Sequence, residues 1–327
     1  MFLTFLPAVA MTTTDYGFKK ITQTLTLGLL AFVAPLFLLS TRRDVNRFLW
    51  TVAILGTLIA SLAILGVATS TDYGRYQALN ANTITTGRLI GAALIVLIVF
   101  VAARTIPVAV GLPPMVLLAL ALVGTGSRGP LLGLAIALVL VQLTQRERSN
   151  PRRYRGIVIS GLATLLLFVA YQAAPISAQS RLFTSGISGA IRLEAWRATL
   201  AAVPFHPLGI GWGNWQAFVG DVVSQGGLIF YPHNLIMEVF LEGGWVAGLG
   251  LIFALIYVGR TAFRLATDGP GKAILALYIF FVINALVSDD LINARVLLVV
   301  CGLILAYRNA TSNSPSRSSR SEVPQKK

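Results

Sequence analysis

The stretch that decides the fold is LWTVAILGTLIASLAILGVA at residues 49–68, which contains no charged side chain. About 20 residues at a 1.5 Å rise per residue allow a helix to cross the roughly 30 Å hydrocarbon layer of a bilayer. Similar runs recur along the 327-residue chain, which is 56% hydrophobic and only 12% charged. Soluble domains carry about 25% charged residues. The composition therefore excludes a soluble enzyme and predicts an all-α polytopic membrane protein.

Nine apolar runs predict nine transmembrane helices, because helices satisfy their own backbone polar groups in lipid. Their limits are 21–39, 48–69, 88–103, 107–125, 129–145, 156–174, 234–258, 273–288 and 291–307. Helices 1–6 thus occupy residues 21–174, a long loop carrying short helices occupies 175–233, and helices 7–9 occupy 234–307. We interpret residues 1–20 as the remnant of a truncated N-terminal span, and residues 308–327 as a disordered basic tail.

The positive charge of the chain predicts its orientation. The formal net charge is +14, and most of the 26 Lys and Arg residues lie in the segments 40–47, 104–106, 146–155, 259–272 and 308–327. An excess of Lys and Arg marks the cytoplasmic side of a membrane. We therefore predict a membrane protein with a cytoplasmic C-terminus and a loop 175–233 on the outer face. Since topology and membrane lipids account for the charge, we expect no nucleic-acid partner.

The loop 175–233 combines tryptophans, arginines and both histidines on the side where basic residues should be rare. An aromatic interfacial belt with snorkelling arginines is the alternative to a functional loop. Residues 188–200 predict a short helix on which Arg192 and Trp196 share one face. The glycine-rich turn at 207–214 does not fit a dinucleotide fingerprint. It leaves two interpretations open, a backbone bend under a ligand and a plain connector.

His233 is the strongest single candidate, because it stands directly before an apolar helix. The partial positive charge of a helix N-terminus, together with nearby arginines, disfavours an imidazolium. A neutral imidazole at neutral pH is the form that a general base requires. A capping or interfacial histidine is the alternative, and His206 is interpreted as structural.

Four acids and one arginine remain to be explained at membrane depth or at turns. Charged residues at that depth are costly and usually functional, which makes Arg128 a candidate, although a snorkelling arginine is the alternative. Glu238 and Glu242 share one helix face and must pair or face a wet cavity. Asp289 and Asp290 occupy a tight turn, where a polar cap and a ligand-binding pair are equally compatible with the sequence.

With 1 cysteine and 2 histidines, the chain favours neither a cysteine-based nor a multi-histidine metal site, and we predict no metal and no cofactor. Arginine forks bind phosphate groups bidentately and remain charged. Several arginines and one base therefore favour an anionic lipid substrate that carries a pyrophosphate.

The chain resembles the O-antigen ligase and polymerase superfamily of bacterial envelope glycosyltransferases over residues 15–307. The segments that carry the resemblance are GSRGP at 126–130, Arg192-x-x-x-Trp196, HPLGIGWGN at 206–214, His233-Asn234 and EGG at 242–244. Weaker similarity occurs at residues 15–20 and in the loop before Gly87-Arg88. Each motif is short, but their order and spacing are specific.

The resemblance implies that a glycan moves from undecaprenyl diphosphate to a hydroxyl of lipid A–core or a similar glycolipid or glycan. It implies that Arg128 and Arg192 hold the diphosphate and that His233 activates the acceptor, supported by Asn234. Direct displacement would invert the anomeric centre. Substrate binding is further assigned to Asn234, Arg181, Trp196, Asn214, Asp289 and Asp290. The resemblance also implies a location in the bacterial inner membrane, with the loop 175–233 in the periplasm.

Three other interpretations stay open. A polymerase differs from a ligase only in its acceptor, and the single long loop with one His-Asn helix start favours the ligase. A transporter or flippase of anionic lipid-linked glycans would place polar residues at mid-span in paired repeats, and no inverted repeat is found. The third interpretation is an inactive fragment of the enzyme.

Overall fold

The computed structural model describes residues 2–66, 74–143, 151–183, 187–223 and 230–312, which form α-helices and short 3₁₀ and π turns. The helices are α1 (Asp15–Gln23), α2 (Leu29–Leu38), α3 (Arg42–Ile64), α4 (Thr83–Ala102), α5 (Val108–Gly124), α6 (Arg128–Leu143), α7 (Pro151–Ala173), α8 (Ile176–Phe183), α9 (Ile187–Ala202), α10 (Trp215–Val223), α11 (Leu235–Leu265), α12 (Gly269–Ser288) and α13 (Arg295–Ser312). The all-α class is therefore confirmed for the described residues. The predicted tail lies outside them beyond Ser312.

Six segments of the described chain are long and apolar enough to cross a membrane. They are Asp15–Leu38, Arg42–Ile64, Thr83–Ala102, Leu235–Leu265, Gly269–Ser288 and Arg295–Ser312. Three further predicted spans correspond to shorter apolar helices at Val108–Gly124, Arg128–Gln142 and Thr164–Ala173. A multi-pass membrane protein is thus supported, whereas the count of nine spans is not confirmed. The first span begins at Asp15 rather than at residue 21, because Thr14 caps it there.

Helix α12 lies at the centre of the bundle and packs against α4, α6, α11 and α13. Small residues allow this close packing: a Cβ atom added to Gly91 of α4 would lie 2.7 Å from the Phe280 ring, and one added to Gly133 of α6 would lie 3.1 Å from it. Contacts of Gly129 with Ser288, and of Asn234 with Leu286, bring the N-termini of α6 and α11 to the C-terminal end of α12. We call this the His233 end of the bundle.

Helix α11 is broken at Gly244, whose backbone has φ 79° and ψ 179°. The glycine-rich turn supplies the hydrogen bonds that the break removes: Ile210 N–H donates to Leu241 O at 2.9 Å, and Trp245 N–H donates to Pro207 O at 2.9 Å. Irregular backbone is tolerated at membrane depth where protein covers it. Of the two interpretations of this turn, the structure therefore supports the connector, which packs into a break in α11.

The long loop contains α8, α9 and α10, and α9 confirms the short helix predicted at 188–200. The aromatic belt does not explain its tryptophans, because Trp212 and Trp215 are 1% and 0% exposed. The Trp212 indole stacks on Phe5 and donates to Phe5 O at 3.0 Å, and the Trp215 indole donates to Thr199 Oγ1 at 2.8 Å. Trp212 thus ties the loop to the N-terminal segment, and Trp215 ties α10 to α9 within the loop.

Candidate functional site

Two of the predicted site residues bind the last turn of α12. Arg192, on α9, donates from Nη1 to Val287 O at 3.1 Å, and Asn234, which caps α11, donates from Nδ2 to Leu286 O at 2.9 Å. Gly129, at the start of α6, packs against Ser288, the last residue of α12. A Cβ atom added to Gly129 would lie 3.2 Å from Ser288 Oγ. Arg128, the residue before it, is exposed at the same helix end.

His233 lies in a strained turn directly before α11, with φ 57°, a value that residues other than glycine rarely adopt. Its ring meets the Tyr231 ring edge to face at 4.6 Å. Burial, and after it the positive charge of Arg192, lowers the pKa of His233 to about 4, while Asp290 acts in the opposite direction. The imidazole is therefore neutral at neutral pH, with burial as the main cause and Arg192 as the nearby arginine that the sequence argument expected.

Two neighbouring side chains hold the His233 turn in place. The Trp196 indole donates to Pro232 O at 2.8 Å, which ties α9 to the residue before His233. Asn234 accepts a hydrogen bond from Met237 N–H at 3.1 Å and thereby caps α11. Both residues were predicted to bind substrate, but their described polar contacts are with protein, and these contacts orient His233.

Both residues of the acidic pair after α12, Asp289 and Asp290, bind other protein side chains. Asp289 pairs with Arg88 Nη1 at 3.0 Å, and Arg88 also donates to Ser288 Oγ at 2.9 Å. Burial raises the pKa of Asp289 to about 6, against the opposing effect of Arg88. Asp290 accepts hydrogen bonds from the Tyr16 hydroxyl at 3.2 Å and from Asn293 N–H at 2.9 Å. Of the two predicted roles, these contacts fit the polar cap.

Arg88 is a residue of this site that the sequence reasoning did not assign. It stands on the first turns of α4, and its side chain is buried, with Nε lacking a partner among the described residues. His233 Nδ1 is likewise buried without a partner there. The signal in the sequence was an arginine at the start of an apolar run. We call Arg88, Arg192, His233, Asn234, Asp289 and Asp290 the His233 cluster.

Two other predicted substrate-binding residues are not brought into the His233 cluster by any described contact. Asn214 donates to Ile210 O at 2.8 Å and to Met11 O at 3.1 Å, and so closes the glycine-rich turn onto the N-terminal segment. Arg181 lies on α8, and its side chain is outside the described part of the chain.

A second polar group lies about one turn further along α11 from His233, where Lys20 of α1 contacts the two acids of α11. Lys20 Nζ lies 2.5 Å from Glu238 Oε1 and 2.6 Å from Glu242 Oε2, and all three side chains are 0% exposed. The sequence predicted that these acids pair or face a wet cavity, and the structure identifies Lys20 as their partner. We call these three residues the Lys20 network.

Comparison with known proteins finds similarity over part of the chain. A family model described as O-antigen ligase matches residues 113–252. An O-antigen ligase of Pseudomonas aeruginosa is 30% identical over 161 residues, which are 46% of this chain and 36% of that protein. The chain thus spans about a third of the length of this curated relative.

The helices and these matches support a multi-pass membrane protein whose residues 113–252 are similar to the O-antigen ligase family. The resemblance to the O-antigen ligase superfamily that the sequence motifs indicated is confirmed. The matched segment contains Arg128, Arg192 and His233, whereas Lys20 and the acidic pair at 289–290 lie outside it.

Proposed function

We propose that this protein transfers a glycan from undecaprenyl diphosphate to an acceptor hydroxyl of lipid A–core or a similar glycolipid, at the periplasmic face of the inner membrane. The observation that carries the proposal is the meeting of a neutral, half-buried His233 with Arg192 at the last turn of α12, beside the helix end that bears Arg128. A base next to guanidinium groups fits a reaction in which a diphosphate leaves.

The proposed step is a direct displacement. The acceptor oxygen forms a bond to the anomeric carbon while the bond from that carbon to the diphosphate oxygen breaks. His233 takes the hydroxyl proton, and Arg128 and Arg192 stabilise the negative charge that grows on the leaving diphosphate. Attack from the face opposite the leaving group inverts the anomeric centre.

An apolar cavity next to the site supports a lipid-borne donor. It has a volume of about 270 Å³ and lies between α11 and α13, with lining residues that include Leu235, Leu251, Leu291, Leu297 and Leu298. Leu235 follows His233 by two residues, and Leu291 directly follows Asp290. Hydrocarbon bound there would have its polar end at the His233 cluster.

The test is glycan transfer by the purified protein in phospholipid vesicles, with undecaprenyl-diphosphate-linked glycan as donor and lipid A–core as acceptor. We expect one glycan chain to be added per acceptor, and His233→Ala to abolish transfer while the variant stays in the membrane. We expect EDTA to leave the rate unchanged, since no described group of three His, Cys, Asp or Glu side chains is arranged to hold a metal ion.

Two outcomes would contradict this proposal. Longer carrier-linked glycans formed without lipid A–core would assign the protein as a polymerase. Full transfer by His233→Ala would remove the proposed base, and movement of intact donor across the vesicle membrane without transfer would favour a flippase.

A further inference from the structure

The Lys20 network is more than a neutralised charge, because each of its carboxylates also holds a backbone amide of another element. Glu238 accepts from Leu291 N–H at 3.1 Å through Oε2, and Glu242 accepts from Trp215 N–H at 3.3 Å through Oε1. Leu291 directly follows the acidic pair of the His233 cluster, and Trp215 begins α10. The carboxylates on one face of α11 therefore fix the turn after α12 and the start of a loop helix.

Such a network is expensive. Desolvating a buried ion costs several kcal/mol, and a buried ion pair is often no more stabilising than the hydrophobic residues that would fill its place. Removal of one partner, in contrast, leaves a buried charge uncompensated. General stability is therefore a weak explanation for placing one ammonium between two carboxylates at 0% exposure.

Helix α1 also contacts the His233 cluster one turn before Lys20. The Tyr16 ring lies 5.1 Å from Lys20 Nζ, and its hydroxyl donates to Asp290 at 3.2 Å. The same ring packs against Phe230 at 5.4 Å, three residues before His233. One turn of α1 thus contacts two of the four chain segments that contribute to the cluster, those of His233 and of Asp290.

We propose that Lys20 is a positioning residue for the transfer reaction. Its ammonium holds Glu238 and Glu242 in the orientation that fixes the turn after α12 and the start of α10, and through them the placement of His233 relative to Asp290. This inference rests on the proposed function for its kinetic readout, but the geometry that it invokes is measurable without substrate.

The experiment compares Lys20→Met and Lys20→Arg with Lys19→Met, an adjacent lysine that is exposed. Misplacement of a reacting group by about 1 Å costs about 10²-fold in rate. We therefore expect kcat of Lys20→Met to fall by about 10²-fold, with the donor KM nearly unchanged because the arginines remain. We expect Lys20→Arg to keep its membrane level but not its kcat, since a planar guanidinium does not replace a point charge between two carboxylates. Lys19→Met is expected to match the wild type.

Hydrogen–deuterium exchange supplies the readout that needs no substrate. Peptides containing Leu291 and Trp215 are expected to exchange faster in both Lys20 variants, while a peptide from the middle of α5 keeps its rate. Should Lys20→Met fail to reach the membrane, Lys20→Arg decides alone.

The inference is overturned if Lys20→Arg has wild-type kcat, or if kcat falls while both peptides exchange as in the wild type. Absence of transfer by the wild-type protein with every donor and acceptor would instead refute the proposed function. In that case the exchange arm still tests whether Lys20 holds the two amides.

Discussion

The Lys20 network and the His233 cluster lie near the same end of α11, but they differ in how completely their polar atoms are bonded. All four carboxylate oxygens of Glu238 and Glu242 have a partner, either Lys20 or a backbone amide. In the His233 cluster, His233 Nδ1 and Arg88 Nε are buried without a partner among the described residues. Every carboxylate oxygen of the Lys20 network thus has a protein partner, whereas these two nitrogens of the His233 cluster do not.

This difference indicates different tasks. A buried polar atom without a hydrogen bond costs about 1–3 kcal/mol, and such a cost persists where function requires the group. A network whose polar atoms all bond to protein holds elements of the fold together. We therefore expect substitutions in the His233 cluster to act on the reaction, and those at sites bonded only to protein to act on geometry or stability.

The largest effect that separates these two tasks is expected at Arg192. Removal of a group that stabilises developing charge costs about 10²–10³-fold in turnover, so Arg192→Ala should lower kcat by that factor. The kcat of Arg192→Lys should lie between those of the wild type and Arg192→Ala, because lysine keeps the charge but loses the bidentate fork. The measurement is initial transfer rate in vesicles, normalised to the amount of protein in the membrane.

The matched control is Arg197→Ala, which removes an exposed arginine from the same helix. Arg197→Ala should retain the wild-type rate. Equal losses in the two variants would mean that α9 only needs positive charge or helicity, and the role of Arg192 at the diphosphate would be refuted.

The fold was largely predictable from the sequence, because runs of apolar residues without charges have few alternatives to membrane helices. Helices α3, α4, α11 and α12 coincide with predicted spans to within several residues at their ends. The three shorter apolar helices show the limit of this reasoning, since composition alone does not say how far a short run crosses a bilayer.

The candidate site was predictable where local position carries the information. His233 and Asn234 stand at a helix start, which is visible in the sequence, and both are found there. The partner of Glu238 was not visible, because Lys20 is 218 positions away in the chain. Asn214 was assigned to substrate binding, whereas here its side chain closes the glycine-rich turn itself.

A smaller and more specific effect is expected in the pH dependence of transfer. A base works in its neutral form, so the wild-type rate should fall as the pH drops through the His233 pKa of about 4, separately from any change near pH 6, where Asp289 of the same cluster is protonated. Arg192 lowers this pKa, so the residual activity of Arg192→Ala should begin to fall at higher pH than that of the wild type.

This shift is read from kcat/KM between pH 3.5 and 8 in the wild type, Arg192→Ala and Arg197→Ala. Arg197→Ala should keep the wild-type profile. A wild-type rate that is already fully lost near pH 6.5, the ordinary value for histidine, with no further fall near pH 4, would show that His233 is not desolvated.

The smallest expected effect compares two asparagines that were both assigned to substrate. Asn234 caps α11 and binds Leu286 O beside His233, whereas Asn214 binds only the glycine-rich turn and the N-terminal segment among its described partners. Loss of the Asn234 N-cap costs about 1 kcal/mol, and loss of the neutral hydrogen bonds of Asn214 costs about as much, so both Ala variants should lower thermal stability by similar, small amounts. Only Asn234→Ala should also lower kcat, because it releases the helix start that carries His233.

Thermal unfolding and transfer rate are measured on the same preparations. The contrary outcome is that Asn214→Ala loses kcat and raises the KM of either substrate while its unfolding temperature is unchanged. The glycine-rich turn would then bind substrate, and Asn214 would belong with the His233 cluster.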